Sequence, residues 1–201
     1  MRVIARDGVH EIEIQRSRFL CHLARVATEE EALAFIAGVR KEHWQATHNC
    51  TAFRAGDTQR SNDDGEPAGT AGVPMLEVLV RRDLVDTVAV VTRYYGGVKL
   101  GAGGLVRAYG RAVSEAVDEL GTLRRTRLAA LDLSAPHAMA GRLEHALHAS
   151  GHRLAGTSYG TSVTFTVHVP DVAVFQDWLA AQTGGAVTAA PAGFVDVDVP
   201  D

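Results

Sequence analysis

"VAVVTRYYGGVKLGAGGLVRAYGRAV", residues 88–113, decides how the chain is built, because three kinds of backbone follow one another in it. The opening residues are β-branched and read as a strand buried on both faces. Six glycines follow between residues 96 and 110, beside Arg93, Lys99 and Arg107. From Gly103 onward "GGLVRAYGRAVSEAVDELG" continues as a helix that closes on Gly121 as its C-cap. A helix that starts directly after a glycine turn offers free amides and the positive end of its dipole. Gly101, Gly103 and Gly104 would let a phosphate approach those amides, with Arg93, Lys99 and Arg107 around it. Arg111, four residues beyond Arg107, shares its helix face. The competing reading is packing, in which the glycines let the helix approach the sheet and the arginines are simply solvated. Neither the phosphate-loop pattern G-x-x-x-x-G-K-[ST] nor the dinucleotide pattern G-x-G-x-x-G is present.

Upstream, residues 57–74, "DTQRSNDDGEPAGTAGVP", have the Gly, Pro, Asn and Asp density of a long loop, and Pro74 would open a short helix. Asp63, Asp64 and Glu66 on that loop suggest a Mg²⁺ site beside a phosphate or a general base, if the loop folds over the glycine segment, or else a turn of solvated acids. The spacing does not fit an EF-hand. Residues 47–56 read as a strand on which His48 and Cys50 point the same way, a base and a nucleophile without a third orienting group. "TEEE" at 28–31 fits a capping box for a helix ending near His43. Asp7-Gly8, between two β-prone runs, reads as a hairpin turn.

Downstream, a second unit from Leu128 runs strand, helix, two strands, helix and strand, the βαββαβ order of a ferredoxin-like domain. Val163, Phe165, Val167 and Val169 alternate with Ser162, Thr164, Thr166 and His168, leaving one wet face. That face lacks the aromatic pair with which an RRM-type domain stacks bases. His145, His148 and His152 have no companion at metal-ligand spacing and read as ordinary polar residues, so no metal site is expected from them.

The chain has 201 residues and a formal net charge of −4, which argues against a protein coated in positive charge. Basic residues nevertheless concentrate before residue 128, and only Arg142 and Arg153 come after it. Cys21 and Cys50 are too few for a disulfide framework and read as buried free thiols. The charged first twenty residues do not read as a secretory signal, no stretch approaches a membrane span, and a cytoplasmic location is expected. Oligomeric state is not readable.

"DDGEPAGTAGVPML" at 63–76, together with residues 88–113, closely resembles the YigZ/IMPACT family in its bacterial branch. The resemblance implies an α+β fold in two domains: a ribosomal protein S5 domain 2-like unit over 1–127, then over 128–201 a ferredoxin-like unit similar to the last domain of elongation factor G. In that family the eukaryotic members regulate translation initiation and nucleic-acid or ribosome binding is proposed for the bacterial ones, so the first reading is a translation-linked module, non-enzymatic and without a cofactor, that binds RNA or the ribosome. Two other readings stand beside it. One is an enzyme using Mg²⁺ on a phosphorylated small molecule, and the other is a protein-interaction module.

Overall fold

Residues 1–200 are described by a computed structural model. Contacts divide them into two units, Met1–Arg125 with the residues from Asp198 on, and Thr126–Val197.

The first unit is an antiparallel sheet of β2 (Gly8–Ile14), β3 (Ser17–Arg25), β6 (Thr87–Tyr94), β4 (His48–Ala55) and β5 (Thr58–Asn62), in that spatial order. Both faces are covered. Helices α2 (Gly72–Arg81) and α3 (Gly101–Leu120) pack on one, where Phe19, Cys21, Cys50, Ala89, Val91 and Tyr109 share a core. Helix α1 (Glu29–Glu42) covers the other, over Phe53, Val88 and Val90. Adjacent residues of β6 therefore feed opposite cores, which is why its sequence is continuously apolar rather than alternating. The capping box forms as expected: Thr28 accepts from the Glu31 amide, and the Glu31 carboxylate accepts from the Ala27 amide.

Two expectations are corrected. Asp7-Gly8 is not a hairpin turn, because β1 (Arg2–Ile4) pairs with β7 (Thr122–Ala135) and not with β2. Gly8 is small for another reason, since a Cβ there would lie 2.5 Å from Leu120 Cδ2. The true tight hairpin joins β2 to β3 through Gln15 and Arg16, both at positive φ, in the conformation that suits strand twist. The long loop is also shorter than read, because Thr58–Asn62 forms the edge strand β5 against β4. Its residues are mostly exposed, so backbone pairing holds it with no hydrophobic period to reveal it.

In the second unit β10 (Ala189–Pro200) pairs with β7, β7 with β9 (Val163–Val169), and β9 with β8 (Arg153–Tyr159). Helices α4 (His137–Ser150) and α5 (Val172–Thr183) contribute Leu143, Leu147, Phe175 and Leu179 to the core. The alternation in β9 is realised, with Val163, Phe165, Val167 and Val169 fully buried. This is the ferredoxin-like plan, and with the first unit it makes the expected two-domain α+β fold.

Candidate functional site

The glycines after β6 have separable jobs. A Cβ on Gly96 would come within 1.9 Å of the Arg16 carbonyl oxygen, so only glycine lets the chain cross the β2–β3 turn. Gly97 and Gly101 take φ of 86° and 69°, the left-handed region that glycine enters without strain. A Cβ on Gly104 would press to 3.0 Å against Leu100, a tight contact inside the first turn of α3. Leu100 occupies the N-cap position without a side-chain bond to the helix, and no acid sits in the first turn. Gly101, Ala102 and Gly103 are exposed there, so the amides that an α-helix leaves unpaired face outward. Packing thus accounts for Gly96 and Gly104, while Gly101 and Gly103 stand exposed at the first turn of α3.

The cations separate in the same way. Arg93 is no free phosphate ligand, because it is only 5% exposed and its Nη1 donates to Glu66 Oε1 at 2.6 Å. Its guanidinium lies over the rings of Phe19 and Tyr95, each centroid 5.4 Å away, and Nη2 donates to Ser17 Oγ at 3.4 Å. A cation at the end of a buried strand needs such a partner, since an unpaired charge there is very costly. Lys99 and Arg107 are exposed and form no ion pair among the described residues. The Arg107 guanidinium folds back toward the first turn, its Nη1 3.5 Å from where a Cβ on Gly103 would stand. Arg111 is exposed and its Nε donates to Glu115 at 2.6 Å, an i,i+4 pair that solvent weakens.

The acidic loop is a structural knot. Asp63 accepts from the amides of Gly69, Ala71 and Gly72 at 2.8–3.0 Å. Burial pushes its carboxyl pKa up, the three amides more than offset that, and the net shift is downward. Asp64, at φ 44°, accepts from the Asn49 amide at 2.7 Å and from Arg40 at 3.0 Å. Glu66 is buried, and its Oε1 takes both Arg93 and the Tyr109 hydroxyl, the latter at 2.7 Å. The three carboxylates are spent on separate partners and do not converge, so the Mg²⁺ site imagined for them has no common centre. No group of three metal-ligating side chains occurs among the described residues.

His48 and Cys50 do not pair as base and nucleophile. Cys50 is fully buried, its thiol donates to the Asp63 carbonyl at 3.0 Å, and desolvation pushes its pKa up to about 12. His48 Nδ1 instead meets the Asp64 carbonyl at 2.8 Å, and its Nε2 stands 3.7 Å from Glu66 Oε2. In the second unit, His145 and His148 are exposed while His152 packs on Phe175 and Trp178, so the three make no ligand set.

A cavity of about 390 Å³ opens beside the start of α3, with Glu66, His48, Arg93, Tyr95, Lys99 and Gly101 among its walls. It joins the glycine loop to the acidic loop. The sequence did not reveal Tyr109 as a partner of Glu66, nor His48 as part of this cavity. Its one available signal was a charged residue, Arg93, closing a strand otherwise buried on both faces.

The Impact N-terminal domain matches residues 15–117, and a domain of unknown function, DUF1949, matches residues 133–186. IMPACT family member YvyE of Bacillus subtilis is 49% identical over 90% of this chain and 86% of its own length. IMPACT family member YigZ of Escherichia coli is 41% identical over 87% of this chain and 89% of its own. A crystal structure described as that of a hypothetical protein is 37% identical, with a TM-score of 0.60 over 94% of this chain and 95% of its own. With a matching first-domain family and relatives aligned across both units, the chain belongs to the IMPACT family.

Proposed function

We propose that the chain is a non-enzymatic, translation-linked module that binds the phosphate backbone of RNA, free or within the ribosome, at the start of α3. The observation that carries this reading is the pairing of outward amides at Gly101–Gly103 with two exposed cations, Lys99 and Arg107, that no carboxylate among the described residues neutralises. Arg111 adds a third positive charge on the same face as Arg107. Such a surface favours phosphate without reading bases, so binding is salt-sensitive and nearly indifferent to sequence. Arg93 serves it indirectly, by anchoring Glu66 and the loop behind the cavity.

Enzymatic use of the acidic loop is disfavoured by what its carboxylates already do. The buried Cys50 thiol, held protonated, is an equally poor nucleophile. The test is fluorescence anisotropy of a labelled single-stranded RNA against the purified chain and a Lys99→Ala/Arg107→Ala variant whose fold is checked by circular dichroism. Binding by the natural chain and its loss in the folded variant is the expected result. Equal binding by both would remove the site from α3.

A further inference from the structure

We propose that the cavity beside α3 receives one nucleotide of the bound RNA, its phosphate on the amides of Gly101–Gly103 and Lys99, its amino-bearing base against Glu66 and His48. This rests on the RNA reading above and adds a ligand to it. The volume of about 390 Å³ falls near the lower end of the ~300–1,000 Å³ typical of small-ligand sites, suiting one nucleotide and excluding a duplex.

The walls are of two kinds. Tyr95, Leu100, Leu105 and Pro67 supply apolar surface for a flat ring, and Tyr95 is 45% exposed, which leaves its ring open to stacking. The polar end holds two acceptors side by side. Glu66 has a side chain only 4% exposed, and Arg93 and Tyr109 both bond its Oε1, while Oε2 takes no hydrogen bond among the described residues. His48 Nδ1 faces a carbonyl, which only an N–H can satisfy, so in its uncharged tautomer the ring presents Nε2 as an acceptor, 3.7 Å from that Oε2. Glu66 Oε2 is therefore open to the cavity and free to accept from a ligand donor that enters it.

An exocyclic amine carries two N–H groups and complements both acceptors. Guanine, cytosine and adenine have one. Uracil places carbonyls there and is disfavoured by the like polarity of acceptor against acceptor. At the mouth, Lys99 and the outward amides of α3 meet the phosphate. A partial preference against uridine is therefore superimposed on backbone binding.

Isothermal titration calorimetry of the full chain with GMP, CMP, UMP, guanosine and inorganic phosphate tests this, beside anisotropy with RNA oligomers. GMP and CMP are expected to bind at least fivefold more tightly than UMP, guanosine or phosphate. Glu66→Gln is the direct variant, but it breaks a buried ion pair and risks unfolding. Ala102→Trp, at an exposed position on the cavity wall, blocks entry from outside and is expected to abolish mononucleotide binding. RNA binding without mononucleotide binding overturns the cavity assignment and leaves the RNA reading standing. No binding of either overturns both. Mononucleotide binding that survives Ala102→Trp overturns the location, and UMP or phosphate binding as tightly as GMP overturns recognition of the base.

Discussion

Replacing Asp63 by Asn separates a structural carboxylate from a metal-holding one. Asp63 accepts three amide hydrogen bonds, from Gly69, Ala71 and Gly72, and so fixes the turn that leads into α2. Hydrogen bonds to a charged group contribute about 1.5–3 kcal/mol each, and the three share one carboxylate, so their sum overstates the effect. Asparagine keeps one oxygen but turns an N–H₂ toward backbone N–H groups. A loss of about 2–4 kcal/mol at pH 7 is expected, comparable to losing a strong cap together with one buried bond. For a unit of this size that is a fall of roughly 8–15 °C in Tm.

The same substitution carries a pH signature. The folded Asp63 pKa lies below its unfolded value of about 3.9, so its stabilisation is complete above roughly pH 5 and is lost as pH falls through the folded pKa. Urea unfolding followed by circular dichroism at pH 7, 5 and 3 should show a gap between natural and variant chains that narrows at the lowest pH. A loss under about 0.5 kcal/mol at pH 7, or a gap that does not change with pH, would refute the capping role.

Glu66→Ala leaves Arg93 buried without its carboxylate and should cost about 3–5 kcal/mol by urea unfolding, whereas adding Arg93→Met to it should recover a measurable part. His22 is buried in β3 with its pKa lowered to about 4 by desolvation and then by neighbouring His43. Between about pH 4 and 6.5 the unfolded chain binds the extra proton, so stability should fall by up to about 3 kcal/mol as pH drops through that window, and His22→Phe should flatten the decline. Cys21 and Cys50 are both fully buried, with thiol pKa values raised by desolvation, so iodoacetamide should label neither in the native state and both in urea. Rapid native labelling of Cys50 would reopen its reading as a nucleophile.

What the sequence made legible follows from where apolar residues decide geometry. β6, β9 and the capped helix α1 carry strong patterns, and the order of elements in the second unit follows from alternation and glycine stops. The edge strand β5 was invisible because none of its side chains is buried. The Asp7-Gly8 turn was misread because Asp-Gly also marks a loop, while the real hairpin used Gln15-Arg16, residues without turn preference. At the site, Lys99, Arg107 and the glycines were readable from local spacing. Arg93 was not, because its role depends on Glu66, Ser17 and Tyr95, which only strand register brings beside it. Asp63 and Asp64 were likewise ambiguous, since acids that cap amides and acids that hold metal look alike in one dimension.

The slope of RNA affinity against salt tests the central claim most directly. For single strands, log K falls with log salt by about 0.7 per phosphate neutralised, so Lys99, Arg107 and Arg111 together give a slope near −2. Lys99→Ala and Arg107→Ala should each reduce its magnitude by about 0.7, with the protein still folded. A slope near zero, or one that neither substitution changes, would contradict phosphate binding at the start of α3.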